Sequence, residues 1–147
     1  MSTYTPTFFS KNEYAAITDI IDVIIPATKT KSASQTNTQV FLDQVFTQCL
    51  TSDEQKTLKA GVQNLTAGFE KATDKLQFIQ DIDKKAYGHD ESRAYFKTIK
   101  QYTMIGFFTS QEGETKAGNY LKSPGDYKGE IPLDHETLNY GKTFLHY

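Results

Sequence analysis

The side chains able to do chemistry in this chain are few and scattered. Histidine occurs at His89, His135 and His146, and cysteine at Cys49 alone. No two histidines stand at i, i+3 or i+4, the spacing by which one helix presents two imidazoles to a metal ion. His89 lies in the stretch GHDE, which could supply a general base or a ligand cluster and reads more simply as a polar turn between helices. A lone cysteine makes no internal disulfide, and no metal-type spacing surrounds it. Cys49 falls on an apolar stripe and is expected to be a small buried hydrophobe. DIDKKAYG, residues 81–88, has the outline of a calcium loop, but Lys85 takes the third ligand position and no glycine follows it directly. Asp81 and Asp83 are two residues apart and do not share a helix face. There is no GxGxxG or GxxxxGK[ST] phosphate loop and no GxSxG nucleophile elbow. Ser110 and Ser123 have no histidine arranged near them in sequence. The residues set out no catalytic constellation.

The chain that must position these groups has 147 residues, the size of one domain with a tail. Sixteen basic residues face 18 acidic ones, so a clustered cationic excess for nucleic acid is lacking. No apolar run approaches the roughly 20 residues that a membrane-spanning helix needs. The opening stretch MSTYTPTFF shows no basic region followed by an apolar one, so it does not read as a signal peptide.

Periodicity predicts helices throughout. Ser10 and Glu13 have capping-box spacing ahead of Tyr14, Ile17, Ile21 and Ile24, and Pro26 stops that helix at about Ile25. Residues 27–39 hold no large apolar group and are expected to form an exposed loop. A second helix over about 38–50 carries two ridges, Phe41–Val45–Cys49 and Leu42–Phe46–Leu50. Ser52 and Gln55 offer a second capping box for a third helix reaching about residue 72. Its seam is Leu58, Val62, Leu65 and Phe69, and Gly61 and Gly68 are expected to permit close helix approach. A fourth helix over 75–87 presents Phe78, Ile79, Ile82 and Ala86 and ends at Gly88. A fifth starts near Glu91, with Tyr95, Ile99, Tyr102 and Gly106 on one face, flanked by Phe96, Thr103 and Phe107. A short polar helix over about 110–117 follows.

From Ala117 onward the chain turns rich in glycine, proline and tyrosine, with a tight turn near SPGDYKG. The expected architecture is all-α: a small helical bundle of about five or six helices with an irregular C-terminal extension. The expected layout of residues 1–147 is a single domain, with an N-terminal arm over 1–9, the bundle over 10–116 and the extended tail over 117–147. Aromatic residues are dense in the C-terminal half, where they either seal the bundle or anchor a partner.

The ordered stretches ITDIIDVIIPATKT, VFLDQVF, YTMIGFFTSQEG and SPGDYKGEIPL resemble the gluconate 2-dehydrogenase subunit 3 family, from about Phe8 to Pro132. IIPAT, GFFTSQEG and PGDYKG carry the resemblance most specifically. It implies a small subunit without a cofactor of its own, paired with a flavoprotein large subunit of the glucose–methanol–choline (GMC) type that carries FAD, often with a cytochrome c subunit. It implies a periplasmic location and a role in the partner's maturation and export, commonly through a signal of the small subunit's own. A cysteine that often follows the last glycine of the turn motif is replaced here by Glu130.

With that frame, Phe107 is expected inside the bundle and Phe108 nearer its surface. The partner surface is expected around residues 106–132, with Phe108, Tyr120 and Tyr127 as anchors and Tyr140 and Phe144 beside them. Aromatic anchors bury large area at small entropy loss. Two other functions compete. One is a stand-alone helical module that binds a carbohydrate or other small ligand between helices. The other is an enzyme with polar groups converging on His89 or His135.

Overall fold

The computed structural model describes residues 4–88, 90–118 and 130. Among them the architecture is all-α, with five α-helices: α1 (Lys11–Ile24), α2 (Thr38–Gln48), α3 (Ser52–Lys71), α4 (Lys75–Tyr87) and α5 (Ala94–Phe108). Short 3-10 turns precede α2 and α5, at Ser34–Thr36 and Glu91–Arg93. A π-helical turn, Gly113–Ala117, stands where a short polar helix was expected. Helices α1 and α5 are central, and each packs against the other and against α2, α3 and α4. Ile17, Ile20, Ile21, Leu42, Phe46, Val62, Leu65, Phe96 and Ile99 are fully buried between them.

Local sequence explains the helix ends. Ser10 and Glu13 form the predicted capping box, in which Ser10 N–H donates to Glu13 Oε2 at 2.8 Å. The chain leaves helical geometry at Ile25, ahead of Pro26. The second capping box sits one residue earlier than expected, on Thr51 and Glu54. Gln55 does a different job: its Nε2 donates to the carbonyls of Thr47 at 3.0 Å and Leu50 at 3.2 Å, which serves the open C-terminal end of α2. The fifth helix opens with the 3-10 turn, so its α-helical part starts at Ala94 instead of Glu91.

The loop over 27–39 is less exposed than its polarity suggests. Ser32, Ala33 and Thr38 are buried. Asp22 on α1 accepts from Ser34 N–H at 2.8 Å and Ser34 Oγ at 2.6 Å, and Ala33 N–H donates to Ile25 O at 3.1 Å. These bonds fold the loop inward and seat the Ala33 methyl on the core. Gly61 and Gly68 make room for aromatic rings: a Cβ at Gly61 would overlap the Tyr95 ring, and one at Gly68 would lie 2.6 Å from Phe78 Cζ. Their role is thus to admit rings, not to bring two helix backbones together. With Tyr95 admitted at the margin, the fully buried line of α5 is Phe96, Ile99 and Thr103, one position round from the predicted face.

Candidate functional site

Two regions stand out once each helix is placed: a clamp that holds the arm, and an exposed apolar face near the end of α5. The clamp is built on Asp43, a carboxylate on the inner face of α2 between Leu42 and Phe46, with no exposed surface. The arm wraps around it. Oδ2 accepts from Tyr4 Oη at 2.8 Å, Thr7 N–H at 2.8 Å and Thr7 Oγ1 at 2.9 Å. Oδ1 accepts from Phe8 N–H and Phe9 N–H, both at 3.0 Å. No cation pairs with this carboxylate among the described residues. Convergent N–H and O–H dipoles replace its water.

The titration of the groups reflects that balance. Burial pushes the Asp43 carboxyl up, but the N–H groups of Thr7 and Phe9 with the hydroxyls of Tyr4 and Thr7 outweigh it, and its pKa lies below the ordinary value. Burial, and then the Asp43 hydrogen bond and charge, push the Tyr4 phenol up to about 12. Beside the clamp, Lys59 Nζ donates to Phe8 O and to Glu13 Oε2, each at 2.6 Å, and lies 5.2 Å from the Phe8 ring centroid. Burial raises the Glu13 carboxyl, yet the Lys59 and Ser10 hydrogen bonds bring it to a net lowered pKa. Phe8 and Phe9 then stack edge-on against Phe46, at 5.5 and 5.9 Å between centroids. The arm is thereby a structural part of the bundle. Sequence reasoning passed over Asp43; its signal was an acid on the face that Leu42 and Phe46 require to be internal.

The second region is the outer side of α5. Phe107 is 2% exposed and Phe108 44%, as the sequence predicted, with the rings edge-on at 5.2 Å. Met104 at 39% and Ile105 at 40% join Phe108. Gln101, Met104, Ile105 and Phe108 stand at i, i+3, i+4 and i+7, one stripe of the helix. Residues 101–111 contain no charged side chain. Elsewhere Leu76 is exposed singly, and exposed Tyr87 has Lys97 and Lys100 at 5.4 and 5.1 Å from its ring centroid. Just past Phe108, Ser110, Gln111 and Thr115 face Gln35 and Asn37 across a polar cleft. Glu112 ties its two walls by accepting from Lys31 N–H at 3.1 Å, and that bond, with Lys116 at 3.1 Å, holds its carboxyl below the ordinary value.

The remaining candidates for chemistry are spoken for or lie elsewhere. Ser110 Oγ donates to Phe107 O at 2.6 Å and accepts from Gly113 N–H at 3.1 Å, so it braces the π turn. Asp83 pairs with Lys100 at 2.7 Å and Asp81 accepts from Gln77 at 2.8 Å. Cys49 is exposed, contrary to expectation, because α2 turns its Leu42–Phe46 line inward and leaves the Phe41–Val45–Cys49 ridge at the margin. Among the described residues no group of three or more potential ligands could hold a metal, and no helix is long and apolar enough to cross a membrane. His89, His135, His146, Ser123 and the proposed anchors Tyr120, Tyr127, Tyr140 and Phe144 lie outside the described residues.

A family model described as gluconate 2-dehydrogenase subunit 3 matches residues 11–125. Comparison with curated proteins and with solved structures gave no match.

Proposed function

Because the chain belongs to the gluconate 2-dehydrogenase subunit 3 family, we propose that it is the non-catalytic small subunit of a flavin-dependent sugar or polyol dehydrogenase. It binds the folded, FAD-loaded GMC-type large subunit, stabilises it and assists its maturation and export to the periplasm. A cytochrome c subunit completes the assembly. The chemistry belongs to the partner's flavin, and this chain contributes binding. A ligand that binds only the folded state stabilises it by mass action.

One observation carries the reading, the family match over residues 11–125, and the exposure of Met104, Ile105 and Phe108 along one side of α5 supports it. Phe108 is one anchor of the partner surface, with Tyr120, Tyr127, Tyr140 and Phe144 as the others. The test is co-expression of the large subunit with and without this chain. The expected result is a yellow complex with sugar-dependent dye reduction that fails to accumulate when this chain is omitted. A soluble, active flavoprotein indifferent to this chain would overturn the proposal. Sugar binding by the isolated chain in calorimetry would point to the carbohydrate module instead.

A further inference from the structure

We propose that the arm is a detachable strap: residues 4–9 lift off the bundle as one unit while the five helices stay folded. The manner of its attachment carries the inference. Among the described residues, no main-chain to main-chain hydrogen bond joins residues 4–9 to the helices. Two side chains hold the arm's backbone instead. Asp43 on α2 takes the N–H groups of Thr7, Phe8 and Phe9, and Lys59 on α3 takes the Phe8 carbonyl. The hydroxyls of Tyr4 and Thr7 add to the first lock. Pro6 has no N–H, so that position adds no donor in need of a partner. The arm therefore has no share in the hydrogen-bond ladder of any helix, and its departure unwinds no turn.

The hinge falls between Phe9 and Ser10. Helix α1 closes its own N-terminal end with the Ser10–Glu13 capping box, which lies on the bundle side of that hinge. The two locks meet at Phe8, which makes the strap a single unit. Its N–H goes to Asp43, its carbonyl to Lys59 at 2.6 Å, and its ring lies against Phe46 and the Lys59 ammonium. Lifting Phe8 opens both locks together. Opening uncovers one side of Phe46, whose ring keeps Tyr102 as an edge-on neighbour at 5.7 Å. It also returns Asp43 to water, which can replace five donors around a carboxylate that has no cation beside it. Burial of Phe8 and Phe9 keeps the docked arm as the ground state. The open form is a minor state that lies below global unfolding in free energy.

The test is native-state hydrogen exchange on the full wild-type chain, read at single amides. The expected result is that Thr7, Phe8 and Phe9 exchange within about 5-fold of one another and are at least about 10-fold less protected than Val62, Leu65 and Ile99 in the helices. Arm amides closer than that to the helical ones in protection open only with global unfolding, which overturns the proposal. Arm amides that differ more widely from one another fray residue by residue, which overturns it as well. Lys59→Met gives a second reading, with circular dichroism confirming that the helices remain. The substitution removes bonds to Phe8 O and Glu13 alone, yet it should speed exchange at Thr7, whose N–H goes to Asp43, by the same factor as at Phe8. An unchanged Thr7 rate beside a faster Phe8 rate would show two independent attachments and overturn the single strap.

Discussion

Replacing Asp43 by Asn tests whether the arm is held by a carboxylate or merely lies against the bundle. Asp43 accepts five hydrogen bonds, three from backbone N–H groups of Thr7, Phe8 and Phe9 and two from the hydroxyls of Tyr4 and Thr7. Asparagine has nearly the same shape, but it keeps one acceptor oxygen and turns an NH2 towards donors. At least two bonds to a charged group are lost, each contributing about 1.5–3 kcal/mol. The five share one charge and are not additive, and the arm can retreat into water once released. The expected loss is therefore about 3 kcal/mol, limited by what docking the arm is worth. For a chain of this length that lowers Tm by roughly 6–12 °C. Amide exchange at Phe8 and Phe9 should accelerate with it. The pH dependence has a definite sign. The folded-state pKa of Asp43 is depressed below 3.8, so its stabilisation is present above that value and is lost as pH falls through the lower folded pKa. The gap between wild type and Asp43→Asn should close in acid. In a chain shortened past residue 9 the same substitution should cost less than about 0.5 kcal/mol, because the carboxylate has regained water. A Tm drop under 2 °C in the full chain, or unchanged exchange at Phe8 and Phe9, would refute the reasoning.

Lys59→Met removes the bonds to Phe8 O and Glu13 and should cost about 2 kcal/mol in denaturant melts at pH 7. Glu13 has a depressed pKa, so this difference should shrink in acid, as pH falls through the folded-state value of Glu13 below the ordinary 4.5. Phe107→Ala should cost about 3–5 kcal/mol, whereas Phe108→Ala should cost less than about 1 kcal/mol; equal losses in urea titrations would contradict their placement. Gly113→Ala would drive its methyl against Phe107 O and to 2.8 Å from Phe108 Cα, so the π turn should shift at a cost of about 1–3 kcal/mol, read as faster amide exchange at Glu114 and Gly118. Cys49 should react stoichiometrically with a thiol reagent in the native protein, without denaturant.

The helices and most of their core were legible because their signals are local and periodic. The Leu58–Val62–Leu65–Phe69 seam, the stop at Pro26 and the inside–outside pair Phe107 and Phe108 all follow from spacing within one helix. Errors arose where a polar group chooses between distant partners. Gln55 has capping-box spacing from Ser52, yet it finds the open carbonyls of α2, which adjacency in sequence does not announce. Residues 27–39 are polar enough for an exposed loop until Asp22, twelve positions before Ser34, draws them inward. Asp43 was overlooked for the same reason, since its partners lie 34 or more residues away. Cys49 was misplaced because α2 carries two apolar ridges and only tertiary packing selects which of them is internal.

The two ends of this molecule differ in a way that bears on the assignment of function. At the arm, polar groups find partners and aromatic groups find rings: Asp43 is saturated, Lys59 bridges a carbonyl and a carboxylate, and Phe8 and Phe9 close on Phe46. At the end of α5, Ser110 braces the π turn and Phe107 is sealed, yet the next residue turns its ring outward beside Met104 and Ile105. Single exposed hydrophobic residues are ordinary on any surface, so Leu76 needs no explanation. Three exposed along one side of α5, in an eleven-residue stretch free of charge, leave apolar area in water that a neighbouring Lys or Glu could have screened.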